Sequence, residues 1–308
     1  MKKTYHICLS AGDEVLCRSE EDYAYCFNTF SLAINETGSS LLADSVMSTH
    51  LHGCVRTYDP YELITRLKYS YSRYMNRKYG RHGALIEENA FVLELNGLYH
   101  TLAAMDYTFR NSLHHGVSPT PFAYRHSSAG VIFKKELGRD FTPELLPVSK
   151  QHRFLPSRTK CPIGYRMDKS GLILREDVVD VADVEHMYGT ARSFLYHMNR
   201  LSSEEWLREQ EKDENGSRLI TLEVIEQPVR HQSIGDMLNN EHGRNDYRRM
   251  GDMGLCTLID KEILPSMGKE SVYTLTVAEK QELARYIRAT YHLPAEQIRR
   301  CVAMSYNP

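Results

Sequence analysis

Two histidines separated by one residue, His50 and His52, are close enough in the sequence to act together in one site. In an extended strand, alternate side chains project to the same face, so both imidazoles would point the same way. Imidazole is a common ligand of divalent metal ions, and the pair therefore predicts a metal site on a polar strand face. A chance occurrence stays open as the alternative, because the chain contains 14 histidines.

A second candidate group lies between Leu98 and His115. A helical apolar stripe is predicted to face the core, formed by Leu98, Leu102, Met105 and Phe109. Tyr107 then lies on the opposite side of the helix, one turn from Asn111, as suits a nucleophile beside a metal ligand. An ordinary surface tyrosine is the alternative. His100 and His114 share this side and are candidates for proton transfer, although His114 can equally serve as a cation at the helix C-terminus.

The stretch 56–81 combines positive charge with aromatic side chains. It contains seven basic and two acidic residues, a local net charge of +5, with six tyrosines interleaved. Basic side chains neutralise phosphates and tyrosine rings stack on unpaired bases, so the stretch predicts contact with nucleic acid. Packing of some tyrosines on the core is the alternative. The predicted DNA-binding residues are Arg56, Arg66, Lys68, Arg73, Arg77, Lys78 and Arg81.

Strands and helices that alternate along residues 1–138 must position these side chains. The pattern predicts strands at 5–10 and 90–97, and between them an extended segment at 40–57, either one strand or two joined near Ser48. It predicts helices after an N-cap at Ser19, and at 59–80 and 98–115. This order predicts an α+β fold, an antiparallel sheet with helices packed on one side.

Residues 139–308 are predicted to form a second, mostly helical domain. The chain becomes loop-rich around 139–165, and 308 residues correspond to about two domains. A hairpin is predicted at 164–176, and two helices separated by a proline break close the chain. The segment 276–304 has the character of a helix-turn-helix, with a plain helical hairpin as the alternative.

Composition excludes several classes of protein. Hydrophobic residues make up 42% and charged residues 25%, which excludes a disordered or collagen-like chain. Seven dispersed cysteines without a Cys-x-x-Cys pair indicate free thiols. The N-terminus is too polar for a signal peptide and no stretch approaches a membrane span, so we expect a cytoplasmic protein with no membrane partner. The net charge of −2 averages basic and acidic stretches, so it does not decide whether nucleic acid is bound.

The order of these motifs resembles the single-tyrosine transposases of the HUH class, in particular the REP-associated tyrosine transposases and their insertion-sequence relatives. In that family, a His-hydrophobic-His segment is followed some tens of residues later by a helix bearing Tyr-x-x-x-Asn or Gln, and then by a Ser-Ser pair. This chain has the histidine pair at 50–52, then Tyr107 and Asn111, and then Ser127-Ser128. The resemblance covers residues 1–138 and implies a HUH, ferredoxin-like fold for them.

The chain departs from the family pattern in three places. Thr49 stands where an asparagine is usual, and Ser112 stands where a proline is common. The Arg-Gly often seen after the first strand is absent. None of these differences removes a reacting group, and together they indicate a divergent branch.

The resemblance also implies a mechanism. His50, His52 and Asn111 would hold Mg²⁺ or Mn²⁺, and the Tyr107 hydroxyl would attack a phosphate of single-stranded or hairpin DNA. The products would be a 5′-phosphotyrosine and a free 3′-OH, so the protein would be a metal-dependent tyrosine transposase, a monomer or a homodimer. A domesticated, non-catalytic DNA-binding or regulatory protein is the alternative. Among enzymes, a replication initiator or relaxase of the same chemistry is a further alternative.

Overall fold

The computed structural model describes residues 1–86, 90–200, 204–213, 219–227 and 250–304. Its centre is a four-stranded sheet with strand order β2-β3-β1-β4, in which all neighbours are antiparallel. The strands are β1 (Lys3–Ser10), β2 (Ser40–Val46), β3 (His50–Thr57) and β4 (Phe91–Leu95). Three long helices follow β1, β3 and β4, namely α1 (Glu20–Glu36), α2 (Pro60–Tyr79) and α3 (Leu98–His114).

Local sequence signals fix the ends of these elements. Ser19 and Asp22 form a capping box at the start of α1, which confirms the predicted N-cap. Asp59 caps α2, and the helix ends at Gly80, whose φ of 63° is a left-handed conformation that glycine adopts without strain. The extended segment at 40–57 is two strands joined by a tight turn, in which the Met47 amide donates to the His50 carbonyl at 2.7 Å.

The two faces of the sheet are covered by different helices. A Cβ on Gly53 would lie 2.9 Å from the Phe30 ring, so α1 packs closely on the face of odd-numbered β3 residues. The opposite face carries His52 and Cys54, and Cys54 contacts Thr108 of α3. The predicted α+β class with an antiparallel sheet is confirmed. Helices α1 and α2 pack on one side of the sheet, as predicted, whereas α3 covers the other face. The polar Tyr107 side of α3 lies against the histidines of that face.

The rest of the described chain is mostly helical, as predicted. Its helices are α4 (Val148–Gln151), α5 (Arg175–Val178), α6 (Val181–Tyr188), α7 (Ala191–Asn199), α8 (Glu204–Gln210), α9 (Leu222–Ile225), α10 (Asp252–Leu258), α11 (Leu264–Ser266), α12 (Val277–Tyr291) and α13 (Ala295–Cys301). A bridge between Met167 and Ile173 lies within the predicted hairpin. Among the described residues, no helix has the length and apolar character needed to cross a membrane.

The hydrophobic core continues past residue 138. Buried side chains from Leu155 to Ile225 belong to the same cluster as those of the sheet. Phe194 of α7, for example, packs edge-on against Phe109 of α3 at 5.7 Å between ring centroids. A second cluster joins Val15, before α1, to side chains from Leu255 to Ala303. The core of the sheet therefore includes side chains up to residue 225, and the domain boundary at 138 stays a prediction.

An ion pair and a hydrogen bond tie the segment of the second cluster to the sheet and α1. Arg18, just before α1, donates to both carboxylate oxygens of Asp260, at 3.0 and 2.7 Å. Asp252 accepts two 2.7 Å hydrogen bonds from Arg300 and another from Ser48 in the β2–β3 turn. Arg300 belongs to the segment predicted as a helix-turn-helix, and its buried pairing withholds it from phosphate. The helix-turn-helix stays a prediction.

Candidate active site

Strand β3 and helix α3 bring the predicted nucleophile and metal ligands together. The His50 Nε2 atom lies 3.2 Å from Asn111 Oδ1, and Asn111 Nδ2 donates to the Tyr107 hydroxyl at 3.2 Å. The His52 ring stands nearly perpendicular to the Tyr107 ring, with 5.1 Å between centroids. The alternation of β3 places both histidines on one face, and the i, i+4 spacing on α3 stacks Asn111 beside Tyr107.

A carboxylate that the sequence did not suggest completes this group. Glu226, which follows α9, accepts a hydrogen bond from the Tyr107 hydroxyl at 3.3 Å. The same carboxylate oxygen pairs with His114, whose ring lies 6.0 Å from that of Tyr107. Of the two predicted proton-transfer histidines, His114 is therefore linked to the tyrosine through Glu226. His100 lies about two turns away and accepts the Asn96 amide at the start of α3.

The group is buried rather than presented to solvent. Tyr107 is 5% exposed, and His50, His52 and Asn111 are 0% exposed. The prediction that Tyr107 points away from the core is wrong, because α3 is sandwiched between the sheet on its tyrosine side and the C-terminal helices on its apolar side. A substrate phosphate can reach the hydroxyl only if part of this cover moves.

Burial sets the charge state of the group. It lowers the pKa of His52 well below its ordinary value and raises the pKa of Tyr107 well above its own. Burial is the largest influence on the pKa of Glu226 and acts to raise it. The hydrogen bond from His114, the electrostatic attraction of His114 and His115 and the hydrogen bond from Tyr107 together lower the pKa below its ordinary value. At neutral pH the site therefore holds a neutral His52, a protonated tyrosine and a carboxylate. Neutral imidazole is the form that binds metals.

The donor set fits a divalent cation. Two imidazoles and an amide oxygen suit ions such as Mn²⁺ that accept nitrogen and oxygen ligands. Among the residues the structure describes, no group of three or more His, Cys, Asp and Glu side chains is arranged to hold a metal ion. The candidate set thus depends on the amide of Asn111 beside His50 and His52.

Residues of β1 also line the group, although sequence reasoning did not select them. His6 and Cys8 alternate on β1 as the two histidines do on β3, and they face the same way. Cys8 stands opposite His52, and His6 stands opposite Cys54. The His-x-Cys spacing was the available signal, but only the register of the two strands shows that it faces the histidine pair. Glu226 gave no signal, because it lies more than a hundred residues from Tyr107.

The basic helix α2 lies on the other face of the sheet from Tyr107. It packs against α1, with the rings of Tyr74 and Tyr25 stacked at 3.7 Å. Tyr71 is buried and donates its hydroxyl to the Leu16 carbonyl, so this tyrosine is a core residue. The structure therefore does not bring α2 and the Tyr107 site together on one surface.

Four of the seven predicted DNA-binding residues already pair with carboxylates. The pairs are Arg56 with Asp183, Arg66 with Glu36 and Glu62, Lys78 with Glu21 and Asp22, and Arg81 with Glu14. Arg73 and Arg77 are exposed and make no ion pair with the described side chains. Arg73 lies over the exposed Tyr69 ring at 5.4 Å. Arg73 and Lys68 line a surface groove of about 720 Å³ on α2.

The Ser127-Ser128 pair has a structural role. Ser128 Oγ accepts the Asp44 amide of β2 at 2.8 Å, and Ser127 forms a bridge with Ser45. The pair therefore holds the segment after α3 against the edge strand of the sheet.

Comparison with known proteins gives matches among solved structures. No protein-family model matches the chain, and no curated protein matches it. A solved structure of a REP-associated tyrosine transposase bound to a REP hairpin is similar, with 14% sequence identity and a TM-score of 0.37. The similarity covers 46% of this chain and 84% of that one.

Proposed function

We propose that the chain is a metal-dependent nuclease and strand transferase of the HUH type that acts on single-stranded or hairpin DNA. The observation that carries this proposal is the hydrogen-bonded series from His50 through Asn111 to Tyr107, with the His52 ring against the tyrosine. Two histidines and an amide beside a tyrosine hydroxyl combine a ligand set with a nucleophile.

His50, His52 and Asn111 would hold the divalent cation, which supplies polarisation of the scissile phosphate and of the leaving oxygen. The amide of Asn111 orients the Tyr107 oxygen for attack on phosphorus. The new Tyr107 oxygen–phosphorus bond replaces the bond to the 3′ oxygen, which leaves and takes a proton from solvent. The hydroxyl proton passes to Glu226, whose carboxylate already accepts it at 3.3 Å. His114 balances the charge of that carboxylate.

The test is a covalent adduct between the protein and a single-stranded DNA hairpin in the presence of Mn²⁺. We expect a denaturation-resistant adduct in the wild type, its loss in Tyr107→Phe, and its retention in Tyr69→Phe, which alters an exposed tyrosine on the other face of the sheet. Removal of the metal with a chelator should abolish the adduct. An adduct that persists in Tyr107→Phe would refute the assignment of the nucleophile.

A non-catalytic DNA-binding protein is the second candidate. The closed state of the site favours it, since all four predicted site residues are at most 5% exposed. This candidate predicts that hairpin DNA binds without forming an adduct at any Mn²⁺ concentration. It also predicts that Tyr107→Phe leaves the affinity for DNA unchanged.

A further inference from the structure

A row of buried polar side chains runs behind His52 and links α3, β3 and β1. The Cys54 sulfur lies 3.5 Å from Thr108 Oγ1 and 3.7 Å from His6 Nδ1. The other ring nitrogen of His6, Nε2, lies 3.1 Å from His52 Nδ1. All four side chains are 0% exposed. Because buried polar atoms must satisfy one another, the position of each hydrogen in this row can be worked out in turn.

The first two hydrogens are fixed by α3. Thr108 donates its only hydroxyl hydrogen to the Ala104 carbonyl at 2.8 Å, and a carbonyl can only accept. The Thr108 oxygen must therefore accept from the Cys54 thiol. The thiol has a single hydrogen, so its sulfur has only lone pairs left for His6, and His6 Nδ1 must be the protonated nitrogen.

The next hydrogen is fixed by burial. The ring neighbours of His6 are His52, Phe91 and Tyr107, and none of them carries a negative charge that would stabilise an imidazolium. An imidazolium at 0% exposure without a charge partner is strongly disfavoured, so the ring is neutral and carries only its Nδ1 hydrogen. Its Nε2 lone pair then accepts a hydrogen from His52 Nδ1.

We infer that His6 is a positioning residue that holds His52 as the Nδ1–H tautomer and leaves the Nε2 lone pair of His52 available to a divalent cation. The Nε2 atom faces the Cys8 sulfur at 3.8 Å. A metal-binding histidine commonly depends on a partner at its other ring nitrogen, which fixes the tautomer and orients the ring. In this chain a histidine, a cysteine and a threonine supply that partner in series. The inference deepens the proposed metal site and rests on it.

His50 is held differently. Its Nε2 atom faces Asn111 Oδ1, and its Nδ1 atom lies 2.9 Å from the Thr49 hydroxyl. The Asn111 oxygen can only accept, which places the His50 hydrogen on Nε2, but the Thr49 hydroxyl can donate or accept and so also tolerates a hydrogen on Nδ1. The row behind His52 offers no such freedom while Thr108 is in place.

The experiment reads the tautomer directly by ¹⁵N nuclear magnetic resonance of the full-length protein, labelled at histidine, without metal or DNA. The His52 signals are assigned by their loss in His52→Gln. In the wild type we expect a protonated Nδ1 and an unprotonated Nε2. In Thr108→Val the thiol loses its acceptor and can donate to His6 instead. Each hydrogen bond along the row then reverses its direction of donation, and His52 should shift towards the Nε2–H form.

Thr101→Val is the matched control. Thr101 also lies on α3 and donates to a carbonyl one turn back, that of Gly97 at 2.8 Å, but it does not contact the row. We expect its His52 spectrum to match that of the wild type. Titration with Mn²⁺ should show affinity reduced about 10–100-fold in His6→Phe and in Thr108→Val, and unchanged in Thr101→Val.

Two results would overturn the inference: an Nε2–H tautomer of His52 in the wild type, or wild-type tautomer and Mn²⁺ affinity in Thr108→Val. Valine has nearly the shape of threonine, so Thr108→Val still tests the inference if His6→Phe does not fold. The test of the positioning role can succeed or fail independently of the test for strand transfer. A protein with the expected tautomers and Mn²⁺ affinities that forms no DNA adduct would support the positioning role and refute the strand-transfer activity.

Discussion

His115 ends α3 beside the candidate site, and its burial links the folding of the protein to pH. Its side chain is 1% exposed, and its ring lies 5.3 Å from the rings of His50 and His114. Burial, followed by the nearby histidines, lowers the pKa of His115 to about 3. The unfolded chain binds a proton near pH 6.5, whereas the folded protein does not, so stability falls as the pH drops from about 6.5 towards 3.

We expect His115→Phe to reduce this pH dependence. Between pH 7.5 and 5.5, one such histidine costs the wild type about 1.4 kcal/mol of unfolding free energy, and the variant should avoid that loss. Urea unfolding at the two pH values measures the difference. His82→Gln, at an exposed histidine, is the control and should lose as much stability as the wild type. An equal loss in His115→Phe would contradict the prediction.

At the scale of elements, α2 offers the clearest test of DNA contact outside the Tyr107 site. Arg73 and Arg77 are its two exposed arginines without ion pairs to described side chains. If they contact phosphates, the double variant Arg73→Ala/Arg77→Ala should bind single-stranded DNA more weakly. The slope of log affinity against log salt should also fall by about 0.7 for each lost contact.

Fluorescence titrations at several salt concentrations give that slope. Arg192→Ala, at an exposed arginine of α7, is the control. A slope unchanged in the double variant would mean that α2 is a solvated helix face rather than a DNA-binding surface.

The segment that carries Glu226 is a second element whose contribution can be measured. Tyr107 is 5% exposed and hydrogen-bonded to Glu226, so loss of this contact should make the ring more accessible. We expect Glu226→Ala to increase the rate of Tyr107 nitration several-fold, as followed by mass spectrometry of the tyrosine peptide. Glu223→Ala alters an exposed carboxylate of α9 and should leave the rate unchanged. Equal nitration in both variants would show that this contact does not limit access.

The same elements show how far sequence reasoning extends. A cap residue such as Ser19 acts locally, and the helix start that it predicts is confirmed. The pairing of His52 with Cys8 depends on strand register, which no local signal sets. The burial of Tyr107 depends on α3 having neighbours on both sides. Periodicity identified an apolar stripe on the helix but could not show that the polar side is covered as well.

At the scale of the whole molecule, Asp252 joins the two hydrophobic clusters. It accepts hydrogen bonds from buried Arg300 of α13 and from Ser48, two residues before His50. Removal of the carboxylate leaves the Arg300 guanidinium buried without its charge partner, which costs about 3–5 kcal/mol. We therefore expect Asp252→Ala to unfold at a markedly lower urea concentration than the wild type.

Urea unfolding followed by circular dichroism checks this value. Asp140→Ala removes an exposed carboxylate that lies 3.6 Å from Lys134, and should change the unfolding free energy by less than about 1 kcal/mol. A loss in Asp252→Ala as small as that in Asp140→Ala would show that the contacts of Asp252 with Arg300 and Ser48 do not stabilise the fold.

The contact between Phe109 and Phe194 has a consequence for synthesis on the ribosome. Phe109 leaves the ribosome long before Phe194, so the apolar side of α3 lacks the cover of α7 during that interval. At roughly 5–20 residues per second, the delay amounts to several seconds. A nascent chain that has completed its sheet therefore still exposes an apolar surface to chaperones, and this surface is buried only once α7 has been translated.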